Sequence, residues 1–322
     1  MPDKIVCLDG HTLNPNDLSW EAFEKLGGLT VYDRTPDDLI IQRAQGAAFL
    51  LTNKTPLSAD AIARLADLKY VGVLATGFNI VDTEAAAKRG IVVTNVPTYG
   101  TDSVAQHAFS LILELSRQVY IHHQAVRDGQ WTSCPDWCFA LTPVTELTGL
   151  TLGILGLGRI GRAVARIGAA MGMVLIGHDV YWPGPEQLGG LAVESLSMEH
   201  VFERSDVISM HCPLTDETHH LVNARMLKRM KRTAILINTS RGPLVDNQAL
   251  ADALHAGTIA GAGLDVLDVE PPPADNPLLH TPNCIITPHV AWYARASRQR
   301  LMDTAANNLE AFVAGKATNQ VS

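Results

Sequence analysis

The sequence predicts an α/β protein built from two doubly wound parallel-sheet domains, and three observations support this class. Short apolar runs alternate with helical stretches along most of the chain, as in parallel sheets whose strands are joined by crossover helices. A glycine-rich turn at 156–161 lies between an apolar run and an Ala-rich helical stretch. The 322 residues are 47% hydrophobic and 18% charged, which is enough apolar material for two buried cores.

Residues 1–100 are predicted to form the first domain, which we expect to be flavodoxin-like. Its strands are predicted at 5–8, 30–32, 47–51, 70–74 and 91–93, and its helices at 17–26, 36–44, 58–65 and 82–88. Several of these helices open with capping residues. The stretch contains no phosphate-binding loop, so we expect this domain to bind the substrate.

Ala75, Thr76 and Gly77 follow the fourth of these strands. Open parallel sheets bind ligands at the carboxyl ends of their strands. Gly77 would let a substrate carboxylate meet bare backbone N–H groups there. A simple turn glycine explains the local sequence equally well, so both interpretations remain open.

Residues 102–120 predict an amphipathic helix that is suited to bridging two domains. The next segment, 121–147, contains Trp131, Trp137 and Phe139 but has little periodicity. An aromatic-rich arm of this length is hard to bury within one subunit. We therefore expect it to contact a partner chain.

The alternation resumes at residue 150 and predicts a second domain. Its later strands are predicted at 207–210, 234–237, 259–264 and 284–286, and its later helices at 197–204, 223–231 and 246–256. A last amphipathic helix, 295–314, follows after this sheet is complete, so we expect it to return to the first domain. The expected domains are therefore 1–100 plus 292–322, and 101–291 inserted between them.

The stretch 150–179 has the order strand, tight turn, helix, strand and acidic residue, which is typical of a Rossmann-type nucleotide-binding unit. Gly156, Gly158 and Gly161 form G-x-G-x-x-G within it. The first glycine permits the sharp turn, the second lets the backbone approach a pyrophosphate, and the third lets the helix lie close to the strand.

Two further features of this unit predict its ligand. The first helical turn, which includes Arg159 and Ile160, has free N–H groups that would hold phosphates. Asp179 lies 18 residues after Gly161, close to the spacing of a ribose-binding acid. Its carboxylate would accept hydrogen bonds from both ribose hydroxyls and repel a 2′-phosphate, so we expect NAD rather than NADP. The alternative, a loop acid and ordinary turn glycines, does not account for the ordered context.

Three loops that follow later strands carry ionisable residues: Arg241 precedes a Gly-Pro break, Glu270 precedes three prolines, and His289 follows Thr-Pro. A hydride-accepting cofactor needs a neighbouring base for the hydroxyl proton, and histidine is suited to this role. A carboxylate bonded to the second ring nitrogen stabilises an imidazolium, so Glu270 can support His289. Arg241 can present a planar fork to a 2-oxo acid. Taken singly, each is more often an ordinary surface or loop residue.

Other features exclude several classes of function. The formal net charge of -8 and the lack of a basic block argue against binding to nucleic acid or anionic membranes. The N-terminus lacks the apolar run of a signal peptide or anchor. Five scattered cysteines favour reduced thiols and a cytoplasmic location. Cys134 and Cys138 lack a second ligand pair, so we expect no metal site.

Six segments in order resemble the D-isomer-specific 2-hydroxyacid dehydrogenase family. They are G-L-G-R-I-G at 156–161, H-C-P-L-T at 211–215, N-T-S-R-G at 238–242, D-V-L-D-V-E-P-P-P at 265–273, N-P-L-L at 276–279 and T-P-H at 287–289. The resemblance implies that Arg241 binds and polarises the substrate, that His289 is the acid/base and that Glu270 orients it.

The same resemblance implies the rest of the site. Asp265 would contact the nicotinamide carboxamide, and Thr239, Cys212 and Pro213 would line the cofactor pocket. For Trp292, a place in the core and a place in the wall of the substrate pocket are equally good interpretations of the sequence. Family members are typically homodimers formed through the glycine-rich domain, which would explain the aromatic arm.

Segments 75–82, 95–107 and 131–147 most resemble the glycerate dehydrogenase/hydroxypyruvate reductase branch, although Tyr293 stands where that branch commonly has a small residue. The expected reaction is therefore D-glycerate/hydroxypyruvate or glycolate/glyoxylate interconversion. Formate dehydrogenases of the family carry glutamine in place of Glu270, which counts against that activity. A phosphoglycerate dehydrogenase and an NAD-sensing corepressor or scaffold of the same fold remain alternatives.

Overall fold

The computed structural model describes residues 3–322, which form two compact units. The first unit runs to Gly100 and resumes at Tyr293, and the second comprises Thr101–Trp292. The chain thus leaves the first unit once and returns to it for its C-terminal segment.

The first unit contains a five-stranded parallel sheet. Its strands are β1 (Lys4–Cys7), β2 (Gly28–Val31), β3 (Phe49–Thr52), β4 (Tyr70–Val73) and β5 (Val92–Thr94). Its connecting helices are α1 (Glu21–Glu24), α2 (Ile40–Ala44), α3 (Ala59–Arg64) and α4 (Thr83–Lys88). The order β2-β1-β3-β4-β5 is that of flavodoxin-like sheets. Strands β3 and β4 are buried along their whole length, which explains why they read as continuous apolar runs.

The second unit contains a seven-stranded parallel sheet. Its strands are β6 (Thr151–Leu155), β7 (Val174–His178), β8 (Val193–Ser195), β9 (Val207–Met210), β10 (Ile235–Asn238), β11 (Gly261–Leu264) and β12 (Cys284–Ile286). Its helices are α5 (Thr101–Arg117), α6 (Val119–Arg127), α7 (Arg159–Ala170), α8 (Pro185–Leu188), α9 (Met198–Arg204), α10 (Ala224–Leu227) and α11 (Asn247–His255). The sheet order is β12-β11-β10-β9-β6-β7-β8.

This order makes the second unit a Rossmann-type domain. Strand β6 pairs with β7 on one side and with β9 on the other, so the direction of winding reverses between β6 and β9. Ligands of doubly wound sheets bind outside the carboxyl ends of the strands at such a switch point. The glycine-rich turn follows β6 and therefore lies at this position.

The C-terminal helix α12 (Arg295–Val313) packs against β4 and α1 of the first unit. The ring of Phe312 lies 5.0 Å from that of Tyr70 and 5.9 Å from that of Phe49, measured between centroids. The buried guanidinium of Arg298 makes two hydrogen bonds to the Asp17 carboxylate, at 2.7 and 2.6 Å. Aromatic and charged contacts thus hold the C-terminal segment to the first unit.

Helix α1 is shorter than predicted, covering Glu21–Glu24 rather than 17–26. The side-chain oxygen of Asn14 accepts hydrogen bonds from the backbone N–H groups of Asp17 and Leu18, both at 3.0 Å. Such a local turn competes with helix formation and delays the start of the helix.

The helix predicted at 102–120 is interrupted. Gln118 adopts a left-handed conformation with φ 47°, so α5 ends before it and α6 begins after it. The first part of the segment 121–147, for which little periodicity was expected, is therefore helical. Strand β8 was not predicted, because its three residues lie at the sheet edge and are half-buried or exposed.

None of the helices formed by residues 3–322 combines the length and the hydropathy that a membrane span requires.

Candidate active site

The glycine-rich turn after β6 can be built only with glycine at two of its three positions. Gly156 has φ 92°, and a Cβ there would lie 2.6 Å from the Cys212 nitrogen. A Cβ on Gly161 would lie 2.0 Å from the Gly156 carbonyl oxygen, so α7 packs directly on the turn. A Cβ on Gly158 would meet no atom within 4 Å. The protein itself therefore does not require glycine there, and the space beside it is open to a ligand.

Asp179 follows β7 and is held beside this turn. Its carboxylate accepts hydrogen bonds from the Leu157 N–H at 2.5 Å and from the Tyr181 N–H at 2.9 Å. Leu157 lies between the first two glycines of the turn. Arg159 and Ile160 begin α7. The structure thus brings together the glycines, the first helical turn and the acidic residue that the sequence assigned to a dinucleotide.

The loops after β9 and β10 lie against each other at the same end of the sheet. The Ser240 hydroxyl donates to the Cys212 carbonyl at 2.9 Å. Burial raises the pKa of the Cys212 thiol to about 11, and the Asp179 carboxylate adds to this rise. The thiol is therefore protonated at neutral pH and is not a nucleophile.

The hydroxyl of Thr239 is a further sign of a ligand site. Thr239 is buried, and its Oγ1 makes no hydrogen bond within residues 3–322. A buried hydroxyl without a partner is costly, so a polar group of a bound molecule would satisfy it. The glycine-rich turn, Asp179 and Thr239 together fit a dinucleotide.

Arg241 is exposed at the end of the loop that follows β10. Its backbone carbonyl accepts from the Asn238 side chain at 2.9 Å, which fixes the loop. A Cβ on Gly242 would lie 1.8 Å from the Leu267 carbonyl oxygen, so glycine lets this loop lie on the Glu270 loop. Within residues 3–322 the Arg241 guanidinium donates to the Ser240 carbonyl at 2.8 Å and forms no ion pair. It is available to an anionic ligand.

Glu270 and His289 form a close pair, although their residues are 19 positions apart. Nδ1 of the imidazole lies 2.6 Å from Oε2 of the carboxylate. The other carboxylate oxygen accepts from the Leu267 N–H at 3.2 Å. Both side chains remain about one-third exposed, at 34% for His289 and 37% for Glu270. With Nδ1 engaged, Nε2 is the ring nitrogen that can exchange a proton with a ligand.

The backbone around His289 is held by Asp265, which is buried. The Asp265 carboxylate accepts from the N–H groups of Val290 at 2.9 Å and Ala291 at 2.8 Å. Its carbonyl accepts from the His289 N–H at 2.8 Å. Trp292 follows directly and is the last residue of this unit. The expected contact of Asp265 with a nicotinamide carboxamide stays a prediction.

In the first unit, residues 75–77 follow β4 as expected. Their three backbone N–H groups have no acceptor within residues 3–322, whereas the carbonyls of Ala75 and Thr76 accept hydrogen bonds. The Val96 N–H donates to the Ala75 carbonyl at 3.0 Å, and the Asn95 amide donates to the Thr76 carbonyl at 2.7 Å. Adjacent free N–H groups form a concave site for an anion.

Sequence reasoning overlooked the residues that brace this loop. The Asn53 amide donates to the Leu74 carbonyl at 2.6 Å. The buried Asp9 carboxylate accepts backbone N–H bonds from Asn53, Lys54 and Thr55 at 2.5 to 2.8 Å. The position of Asp9 directly after a strand was the one signal in the sequence. The described residues contain no cluster of side chains suited to a metal ion.

Comparison with known proteins gives a consistent result. A family model described as "D-isomer specific 2-hydroxyacid dehydrogenase, NAD binding domain" matches residues 109–291. The chain is 47% identical to a hydroxypyruvate reductase of Blautia hydrogenotrophica, with 99% of each chain covered. It is 41% identical to a glycerate dehydrogenase of Methylorubrum extorquens, with 100% of this chain and 99% of that protein covered.

A solved structure is similar over the same length. The TT0316 protein from Thermus thermophilus superposes with a TM-score of 0.87 at 37% identity, with 99% of this chain and 100% of that chain covered. The likeness therefore extends over both units.

Proposed function

The chain belongs to the D-isomer-specific 2-hydroxyacid dehydrogenase family and is an NAD-dependent enzyme, and we propose that it interconverts D-glycerate and hydroxypyruvate, or glycolate and glyoxylate. The observation that carries the mechanism is the pairing of Glu270 with His289 at 2.6 Å, which leaves Nε2 of the imidazole for the substrate. The substrate choice follows from the names of the relatives that are 47% and 41% identical.

The glycine-rich turn and the acidic residue after β7 would hold the cofactor. Gly158 leaves room for a pyrophosphate, and Asp179 would accept from the ribose hydroxyls. Thr239 would gain the hydrogen-bond partner that it lacks, while Cys212 and Pro213 would contribute to the pocket wall. A bound NAD would supply the hydride acceptor for oxidation at C2, and a bound NADH would supply the hydride donor for reduction.

His289 would act as the general base in oxidation and as the general acid in reduction. Nε2 would take the C2 hydroxyl proton in one direction and donate it to the carbonyl oxygen in the other. The Glu270 carboxylate fixes the proton on Nδ1 and stabilises the imidazolium that forms. This arrangement gives His289 both an orientation and a charge partner.

The Arg241 guanidinium would pair with the substrate carboxylate and polarise the carbonyl oxygen, and Trp292 would contact the small side chain. Removal of the Arg241 charge should therefore raise KM for the oxo acid and lower kcat. For the first unit taken by itself, we propose that the free N–H groups of residues 75–77 bind an anionic group.

The decisive experiment is NADH oxidation with hydroxypyruvate, glyoxylate, pyruvate, 2-oxoisocaproate and phenylpyruvate, with NADPH run in parallel. Fast turnover of hydroxypyruvate or glyoxylate with NADH is expected. Preference for a bulky oxo acid would contradict the proposed substrate but would leave the family assignment unchanged. His289→Asn should abolish turnover while NADH still binds, and full activity in this variant would contradict the proposed acid/base.

We also propose that the enzyme is a homodimer. Side chains of the segment 119–144 are exposed although they are apolar: Val119, Tyr120, Val126, Trp131, Trp137, Leu141 and Val144. The end of this segment borders an open cavity of about 850 Å³, which is also lined by α5 and the amino ends of β10 and β12. A second copy of the chain would cover this apolar surface.

We propose that the enzyme is cytoplasmic. Its five cysteines are free thiols, which supports a reducing compartment.

A further inference from the structure

Two polar side chains of α5 contact the segment that carries His289. The Ser103 hydroxyl donates to the Ala291 carbonyl at 2.5 Å. His107 lies four positions later and therefore on the same face of the helix. Its Nε2 is 2.9 Å from the Thr287 hydroxyl oxygen. The helix thus contacts the catalytic segment on both sides of His289.

The hydrogen-bond directions around Thr287 follow from proton counting. A threonine hydroxyl has one proton to donate, and the Asp265 carboxylate, an acceptor, lies 2.6 Å away. The Leu264 carbonyl is farther, at 3.5 Å. The Thr287 oxygen must therefore accept from His107, which places a proton on Nε2 of that ring. This nitrogen also lies 3.4 Å from the Asp265 carboxylate.

Asp265 links this chain of hydrogen bonds to the acid/base residue. Its carboxylate and carbonyl hold the N–H groups of Val290, Ala291 and His289. His289 has φ 54°, a conformation that side-chain-bearing residues rarely adopt and that must be imposed by surrounding contacts. A buried carboxylate keeps its charge only with several donors. The Thr287 hydroxyl is one of them, and His107 orients that hydroxyl and lies 3.4 Å from the carboxylate.

We propose that His107 is a positioning residue for the reaction: by donating to Thr287 and facing Asp265, it keeps the backbone of His289 in the orientation that catalysis requires. This inference rests on the proposed acid/base role of His289. His107 touches neither substrate nor cofactor in this role and acts through two other residues.

The test compares His107→Phe, which keeps a ring and removes the donor, with His107→Gln, whose amide can restore it. Because small misplacements of a catalytic group cost up to about 100-fold in rate, we expect kcat for hydroxypyruvate to fall about tenfold in His107→Phe. The Kd for NADH should change less than twofold. His107→Gln should recover kcat to within about threefold of wild type. Ser110→Ala, on an exposed turn of the same helix, is the matched control and should retain full activity.

A pH profile separates positioning from simple packing. Burial opposes ionisation of Asp265, but hydrogen bonds from His107, Thr287 and the N–H groups of Ala291 and Val290 lower its pKa overall. Among these donors, His107 is the one titratable side chain. The nearby Glu270 carboxylate is bonded to the His289 ring. Loss of the His107 donor should raise the Asp265 pKa. As the pH is lowered, the reductase activity of His107→Phe should therefore begin to decline at a higher pH than that of wild type. His107→Gln should restore the wild-type profile.

The outcomes distinguish this inference from the proposed function. An active His289→Asn enzyme would overturn both. An inactive His289→Asn enzyme together with unchanged kcat and pH profile in His107→Phe would overturn the positioning role alone. If His107→Phe fails to fold, Thr287→Val removes the same link without altering α5. A similar loss of kcat in Thr287→Val supports the inference, and unchanged kcat contradicts it.

Discussion

Replacement of Glu270 by Gln tests the charge of the catalytic pair while preserving its size. The amide oxygen of glutamine can still accept a hydrogen bond from Nδ1, but it carries no charge to stabilise an imidazolium. We expect kcat for reduction to fall by about 10- to 100-fold, with a smaller change in KM. Steady-state rates with hydroxypyruvate check this, with Glu194→Gln as an exposed control. An unchanged kcat would mean that the charge of Glu270 is not used.

Replacement of Asp179 by Asn tests the choice between NADH and NADPH. The Leu157 and Tyr181 N–H groups bond different oxygens of the carboxylate, so asparagine keeps an acceptor for one of them and removes the charge that would repel a 2′-phosphate. An electrostatic difference of about 1.4 kcal/mol corresponds to a factor of ten. We expect the ratio of kcat/KM for NADH to that for NADPH to fall about tenfold. Asp303→Asn on α12 is the control, and equal ratios in both variants would argue against this role for Asp179.

At the scale of elements, the turn between β6 and α7 allows stability and cofactor binding to be separated. Gly161→Ala places a Cβ against the Gly156 carbonyl, and we expect it to destabilise the fold by about 1–3 kcal/mol. Gly158→Ala meets no protein atom within 4 Å, so the Tm should be unchanged. Its Cβ would occupy the space that a pyrophosphate approaches, and the Kd for NADH should rise about tenfold. Thermal unfolding and NADH fluorescence titration check both variants. Normal NADH affinity in Gly158→Ala would place the phosphates elsewhere.

The same elements show what could be predicted from the sequence. The buried strands β3 and β9 were predicted to within two residues, because a sheet covered on both faces requires continuous apolar runs. Edge strand β12 was also predicted, although its residues are only half-buried. Local polar contacts were not visible in such patterns, so the start of α1 and the break at Gln118 were missed. Edge strand β8 lacks the apolar signal altogether.

The candidate site likewise includes residues that the sequence pointed to and residues that it did not. Arg241, Glu270 and His289 were singled out as candidates because each follows a strand, and the carboxyl ends of parallel strands meet at one edge. His107 was not among the candidates because it lies within a helix, and its partner Thr287 is 180 residues away along the chain. Contacts between distant segments depend on the packing of elements, which a single sequence does not reveal. The catalytic roles themselves stay proposals.

At the scale of the whole molecule, the exposed aromatic residues predict the oligomeric state. Trp137 is 86% exposed in a single chain, and a large apolar side chain in water favours burial against a partner. We expect light scattering to give twice the chain mass of 34.7 kDa, and Trp137→Ser to weaken the dimer measurably on dilution. Tyr181→Ser is the matched control, because Tyr181 is equally exposed at 87% but lies outside the arm. If only the arm variant dissociates, the arm forms the interface. If the wild-type enzyme is monomeric, the exposed arm has another role and the dimer proposal is wrong.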